Sequence, residues 1–139
     1  MKHAITITAL GLALAVGACA NSQKKPDSTQ PMNANAAGAK QKWEGTWSGS
    51  WDGACSGSIK VSDVQADSAH VLYSWGSCGN AAPGTYEDRT ASIQGDTLTV
   101  HLYGSAEATY SHIDETTLKG RYERPSDGST ATGTFTREG

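Results

Sequence analysis

A strict two-residue alternation over residues 43–53 constrains the fold of this chain more than any other feature. The odd positions hold only tryptophan or glycine, and the even positions are all polar. Successive side chains of a β-strand point to opposite faces, so this pattern predicts one extended strand with a dry face and a wet face. The dry face carries three indoles, Trp43, Trp47 and Trp51. Each indole can bury about 150–250 Å², and we expect the core to close over this row.

The N-terminal segment, residues 1–18, has the pattern of a signal peptide. A basic start precedes an apolar run that is long enough for export but too short to cross a bilayer. The run ends in Val-Gly-Ala-Cys at residues 16–19, which resembles the lipobox of bacterial lipoproteins. This resemblance implies that Cys19 carries acyl chains that anchor the protein in a membrane, and Ala20 implies the outer membrane of Gram-negative cells. The alternative is an ordinary signal peptide whose cleavage site lies beside a cysteine.

The next segment, residues 19–42, follows as the lipidated cysteine and a disordered tether. Residues 20–42 lack Leu, Ile, Val and aromatic side chains, so they cannot bury enough apolar surface to offset the entropy of ordering. Four lysines against one aspartate give this segment a net charge of +3. It is either a solvated tether or a segment attracted to anionic lipid head groups or an anionic wall polymer.

The chain has 3 cysteines. With Cys19 assigned to lipid, Cys55 and Cys78 remain as one pair in an exported domain, which predicts a disulfide. Zinc is the alternative, but neither of these cysteines has a second Cys or His at short ligand spacing.

The remaining chain, residues 43–139, repeats the two-residue alternation in short segments that are separated by turn residues. Around a Gly95-Asp96 turn, Ile93 falls opposite Leu98, so the apolar sets of both strands share one face. Eight such strands with short connections and no helix predict an all-β domain, an eight-stranded antiparallel up-and-down β-barrel, because closure removes the exposed sheet edges.

The tripeptide Gly45-Thr46-Trp47 on the first strand resembles the G-x-W opening of the calycins, the lipocalin- and avidin-type barrels. In that family a basic residue near the end of the last strand packs across the tryptophan, and Arg137 is the matching residue here. The predicted strands are shorter than those of typical lipocalins, and no second or third lipocalin motif is present. The resemblance implies a calycin-like fold and bears little on function.

A meander places both ends of the domain at one pole and the loops near residues 52–55, 77–86, 103–106 and 124–129 at the other. Loops on a rigid barrel commonly carry binding residues. The candidate binding residues at this pole are Asp52, Asn80, Tyr86, Asp88, Arg89, Tyr103, Arg124 and Asp127. The alternative is an ordinary polar rim. The tryptophan row could stack on sugar rings or an apolar ligand, but a small barrel with this many aromatic residues is expected to be filled, with little cavity.

No catalytic motif and no metal-ligand spacing is present, so the sequence predicts no catalytic residue, metal or cofactor. Residues 43–139 hold 13 acidic residues against 6 Lys and Arg, a net charge of −7, which argues against nucleic acid as a partner. The leading prediction is a non-enzymatic outer-membrane lipoprotein, held by its lipid anchor, whose barrel binds a small apolar ligand or another envelope component. The alternative is a periplasmic inhibitor of lysozyme or another hydrolase, which would bind a basic protein. An enzyme or an accessory domain of one is the third candidate.

Overall fold

The computed structural model describes residues 34–78 and 86–139, and the predicted signal peptide, Cys19 and most of the predicted tether lie outside these ranges. One helix and eight strands follow each other in the chain. They are α1 (Ala34–Trp43), β1 (Gly45–Trp51), β2 (Cys55–Ser62), β3 (Ser68–Cys78), β4 (Tyr86–Gln94), β5 (Thr97–His101), β6 (Glu107–Asp114), β7 (Thr117–Arg124) and β8 (Ser129–Arg137). A short 3-10 turn, Tyr103–Ser105, connects β5 to β6.

The strands form a closed antiparallel barrel in sequence order, with β8 pairing back to β1. This confirms the predicted fold class. The Gly95-Asp96 turn pairs Ile93 with Leu98, as the alternation predicted, and Gly95 takes a φ of 58° that favours glycine. The register keeps one apolar face inside all the way round the barrel, so the core is continuous.

The predicted single strand over residues 43–53 is wrong at both ends, because β1 spans only Gly45–Trp51. Trp43 is the last residue of helix α1, and the chain leaves that helix through Gly45, whose φ of 139° is one that L side chains rarely adopt. All three indoles of the row are nevertheless buried, with Trp43 and Trp47 fully enclosed and Trp51 5% exposed. The row therefore belongs to the core, although one of its members comes from a helix.

Helix α1 is an element that the sequence analysis did not predict, and it replaces the end of the predicted tether. Its alanines, lysines and glutamine are good helix formers. Its apolar content is too low for the periodicity that identifies most helices, and only Ala36 and Trp43 are buried. The helix ends with Glu44 N donating to Lys40 O at 2.9 Å. It contains no stretch that is long and apolar enough to cross a membrane, and neither does any other helix of the described chain.

Arg137, near the end of β8, joins helix α1 to the barrel. Its guanidinium lies over the Trp47 ring at 4.4 Å and donates hydrogen bonds to the carbonyl oxygens of Gln41 and Lys42 in the last turn of α1. These carbonyls have no partner within the helix and carry the negative end of its dipole, so a guanidinium stabilises them. Arg137 therefore makes the contact with Trp47 that the G-x-W resemblance implied.

The disulfide Cys55–Cys78 is present, as predicted. Cys55 begins β2 and Cys78 ends β3, and the two residues are direct partners in the antiparallel register, with 4.2 Å between their Cα atoms. The bond therefore fastens the barrel wall at the pole away from helix α1. Closing a loop of this length stabilises a domain by roughly 3 kcal/mol when the unfolded chain is the reference.

Candidate functional site

A pocket of about 400 Å³ lies at the pole away from helix α1, and we call this pole the mouth of the barrel. The pocket is lined by the ends of several strands and by the β5–β6 connection. The lining residues are Trp51, Cys55, Tyr73, Trp75, Cys78, Glu87, Leu102, Tyr103, Tyr122, Arg124, Ser129, Thr130 and Ala131. The prediction that the barrel holds little cavity is wrong at this end, because among the described residues the aromatic side chains fill the middle of the barrel and leave a pocket at its mouth.

The Trp51 indole forms the floor of the pocket. It extends from Gly57 on β2, where an added Cβ would lie 2.8 Å from Nε1, to Gly120 on β7, where an added Cβ would lie 2.9 Å from Cη2. The ring of Phe135 packs beside the indole, with 4.9 Å between ring centroids. Only glycine leaves room for an indole at these positions. The row of core tryptophans therefore ends at this ring, and the pocket lies above it.

Aromatic side chains lie on opposite walls of the pocket. Tyr73 and Trp75 lie on β3, with ring centroids 5.6 Å apart. Tyr122 lies on β7, diametrically opposite in a closed sheet of eight strands, and its ring centroid is 6.2 Å from that of Trp51. Aromatic rings supply a large apolar contact area with few rotatable bonds. We call the space between the β3 side chains and Tyr122, above Trp51, the aromatic slot.

The Tyr73 hydroxyl is a hydrogen-bond donor in this apolar wall. Burial, and after it the neighbouring Tyr122 hydroxyl, raises the pKa of Tyr73 well above its ordinary value. The phenol therefore stays protonated over the physiological range and can donate to a ligand acceptor. Mouth pockets of this kind combine mostly apolar walls with a few placed polar groups, which orient the bound molecule.

Glu87 is the one buried charged residue of the described chain, with 7% of its side chain exposed. Its Oε2 accepts hydrogen bonds from Arg89 Nε at 3.0 Å, Arg89 Nη2 at 2.7 Å and the Tyr103 backbone N–H at 3.0 Å. The Arg89 guanidinium in turn lies over the exposed Tyr103 ring at 3.9 Å. This network ties β4 to the β5–β6 connection and places a carboxylate at the wall of the pocket.

Two of the predicted binding residues line the pocket, namely Tyr103 and Arg124. Arg124 lies at the rim, 3.4 Å from the Asp127 carboxylate and 5.7 Å from the centre of the Tyr122 ring. The Tyr122 hydroxyl beside it, and less strongly Asp127, raise the pKa of Arg124. The rim charge is thus already paired, and it does not form the anion clamp that isolated arginines suggest.

The other predicted residues lie at or near the mouth, or on the outer surface, without lining the pocket. Asp52 accepts from the Thr132 backbone N–H at 2.9 Å and holds the β1–β2 turn, and Asp88 pairs with His70 at 2.6 Å on the outer face. Tyr86 is 69% exposed. Arg89 and Asp127 do not line the pocket themselves. Each pairs with a residue that does, Arg89 with Glu87 and Asp127 with Arg124. Asn80 lies outside the described residues, as does Cys19.

Sequence reasoning missed Glu87 and assigned Tyr73, Trp75 and Tyr122 to the filling of the barrel. A signal for Glu87 is present, since it has the same parity as the inward residues Ala91 and Ile93 of its strand. The inward positions of this strand are apolar only from Ala91 onward. The hydrophobic pattern therefore gives no sign that the charged residues at its start also point inward. Within residues 34–78 and 86–139, no group of three or more His, Cys, Asp or Glu side chains could hold a metal ion.

No protein-family model and no curated protein matches the chain. Among solved structures it is similar to small designed β-barrels. A de novo designed fluorescence-activating β-barrel has 17% identity and a TM-score of 0.56. The match covers 72% of this chain and 97% of the designed chain. The barrel EF1p2_mFAP2b, solved bound to DFHBI, has 20% identity and a TM-score of 0.54, covering 74% of this chain and 99% of its own. At these identities the likeness supports the fold alone.

Proposed function

We propose that this protein is an outer-membrane lipoprotein whose barrel binds a small apolar ligand in the mouth pocket and carries out no reaction on it. The observation that carries the proposal is the aromatic slot above Trp51. A cavity of about 400 Å³ with Tyr73 and Trp75 on one wall and Tyr122 on the other exposes apolar surface that a ligand would cover. A solved neighbour of the same fold holds the small molecule DFHBI, which is in keeping with a ligand-binding use of such a barrel.

A neutral lipophilic dye tests this proposal. Nile red titrated into the disulfide-bonded protein is expected to bind with one-to-one stoichiometry, with increased dye emission and quenching of Trp51 or Trp75. Ala131→Phe adds a ring inside the mouth pocket and is expected to abolish binding. Thr134→Phe, an exposed position on the same strand, serves as the matched control. Nile red binding that is equal in both variants would place the dye elsewhere and contradict the proposal.

The lipid anchor needs its own test. The lipobox-like residues 16–19 support acylation of Cys19, and the Ala at position 20 supports sorting to the outer membrane. Labelled palmitate is expected to appear in the wild-type protein and to be absent from Cys19→Ala, which should be released from the membrane fraction. Labelling that survives in Cys19→Ala would contradict the anchor.

Inhibition of a basic hydrolase is the second candidate, and two observations favour it. Tyr103 projects from the β5–β6 connection with 73% of its surface exposed, and residues 43–139 carry a net charge of −7. Titration into lysozyme at low and moderate salt separates the two functions. Stoichiometric inhibition that weakens with salt supports an inhibitor, whereas dye binding without inhibition supports the ligand-binding barrel.

A further inference from the structure

The three hydrogen bonds that Glu87 accepts all fall on one oxygen. Both nitrogens of the Arg89 fork and the Tyr103 backbone N–H donate to Oε2. Among the described residues no side chain or backbone group donates to the second oxygen, Oε1, although a carboxylate has lone pairs for further bonds on each oxygen. Oε1 is not among the enclosed polar atoms that lack a partner, so water reaches it from the pocket. A molecule that replaces this water without supplying a donor would leave the oxygen unpaired, which is costly.

The carboxylate lies in the lining of the mouth pocket, so a bound molecule can supply that donor. Glu87 shares this lining with Trp51, Tyr73, Trp75 and Tyr122. Aromatic faces attract cations, and the attraction is stronger in a site that excludes water. A ring that carries a positively charged N–H group would therefore gain from the walls as well as from Glu87.

The paired charges around the mouth do not repel a cation, and the charge of the whole barrel favours one. Arg124 at the rim is paired with Asp127, and Arg89 is bound by Glu87 itself, so both arginines near the pocket have an acidic partner. The barrel as a whole carries a net charge of −7 over residues 43–139. A negative field raises the local concentration of cations and speeds their association.

We propose that the mouth pocket selects a flat aromatic molecule that carries an N–H donor, in its cationic form, and that Glu87 is the residue that sets this selectivity. The ring occupies the slot between the β3 and β7 aromatic side chains, and its N–H group donates to Glu87 Oε1. This inference rests on the proposed ligand-binding function and names the class of ligand.

Two probes with related three-ring systems test the inference. 9-Aminoacridine is a flat cation with an amino group, and anthracene-9-carboxylate is a flat anion with acceptors only. The wild-type protein is expected to bind 9-aminoacridine at least tenfold more tightly than the carboxylate. Glu87→Gln is expected to weaken 9-aminoacridine about tenfold or more, as expected for loss of a hydrogen bond to a charged group, and to narrow the preference between the probes.

Glu123→Gln is the matched control for charge and chemistry. Glu123 also pairs with an arginine two residues away on its own strand, Arg121, but this pair lies on the outer face of β7. Glu123→Gln is expected to change the affinity for 9-aminoacridine less than twofold. Arg89→Gln, which leaves Glu87 without its cation, is expected to tighten 9-aminoacridine several-fold. This gain keeps the inference testable if Glu87→Gln folds poorly, which thermal unfolding of each variant reports.

Nile red separates failure of this inference from failure of the function on which it rests. If Nile red binds but 9-aminoacridine shows no preference over the carboxylate, the selectivity is wrong and the ligand-binding function stands. Equal losses in Glu87→Gln and Glu123→Gln would also overturn the role of Glu87. If none of the three probes binds, both proposals fall.

Discussion

The two ends of the barrel each end in a tryptophan of the same row, yet in the described chain a helix covers only one of them. At the end near the C-terminus, helix α1 lies against the barrel and places Trp43 beside Trp47 and His112. At the mouth, Trp51 is the last tryptophan of the row, and no described element covers the pocket above it. Helix α1 therefore supplies the tryptophan at one end of the row, whereas a pocket lies beyond the tryptophan at the other end.

The cavities at the two ends differ in the same way. Near helix α1 a groove of about 520 Å³ is lined almost wholly by polar residues, namely Gly38, Gln41, Lys42, His112, Asp114, Glu115 and Arg137. The mouth pocket of about 400 Å³ has aromatic side chains on its floor and on two facing walls. Water satisfies the first surface, whereas the second leaves apolar area exposed. The closed sheet is common to both ends, and the added helix makes the difference between their surfaces.

Removing the disulfide is expected to have the largest effect and to act on the mouth. The double substitution Cys55→Ala with Cys78→Ala should lower the free energy of unfolding by roughly 3 kcal/mol, because it releases loop-closure entropy in the unfolded chain. Denaturant unfolding measures the loss. Nile red affinity should also fall, since both cysteines line the pocket. An unchanged unfolding midpoint would contradict this role of the disulfide.

Adding a methyl group beneath the floor is expected to have the next largest effect. A Cβ at Gly120 would lie 2.7 Å from Phe135 Cε2 and 2.9 Å from Trp51 Cη2, both in buried rings. Gly120→Ala should therefore cost about 1–3 kcal/mol of unfolding free energy, the range for overpacked cores. Gly38→Ala is the control, because nothing lies within 4 Å of its added Cβ. It lies in α1, where alanine is favoured over glycine by up to roughly 1 kcal/mol, so thermal denaturation should show effects of opposite sign.

The strands and the disulfide could be predicted from the sequence, whereas the start of β1 and the mouth pocket could not. The two-residue alternation predicted the strands and the Ile93–Leu98 register, because both depend on residues that are close in the sequence. The number of cysteines predicted the disulfide. Trp43 occupies an odd position like Trp47 and Trp51, so the two-residue pattern assigned it to the strand. Nothing in such a pattern marks the residue at which a preceding helix ends. The pocket depends on aromatic side chains from β1, β3 and β7 that lie at the same level of the barrel, although these strands are far apart in the sequence. Only the closed barrel defines that arrangement.

Replacing Arg137 is expected to loosen the covered end while leaving the mouth unchanged. Lysine keeps the charge but cannot lie flat on the Trp47 ring or donate from a planar fork to the carbonyls of Gln41 and Lys42. Arg137→Lys should cost about 1 kcal/mol of unfolding free energy and expose α1 to proteolysis, with Nile red affinity unchanged. Arg121→Lys, on the outer face, should change stability by less than about 0.5 kcal/mol. Weaker dye binding in Arg137→Lys would show that the two ends are coupled.

The smallest expected effect is a pH dependence confined to the covered end. Burial, followed by the cations of Lys42 and Arg137, lowers the pKa of His112, although the Asp114 carbonyl and the Asp96 carboxylate oppose this. Its Nδ1 lies 3.0 Å from the Asp114 carbonyl oxygen, while Nε2 is enclosed without a partner among the described residues, so a second proton would be buried with no acceptor. Because the folded pKa lies below the unfolded value, the stabilisation is present above about pH 6.5 and is lost as the pH falls through the folded pKa.

Chemical denaturation between about pH 7.5 and 5 measures this dependence above the range in which most carboxylates titrate. His112→Gln should flatten the fall in stability, because glutamine takes up no proton. His101→Gln is the control, since His101 is exposed on the outer face beside Glu107, and it should keep the slope of the wild type. Nile red affinity should be the same across this range in the wild type and His112→Gln. A mouth that changed with His112 would mean that protonation under Trp43 is transmitted through the core to the Trp51 floor, and the two ends would then form one cooperative unit.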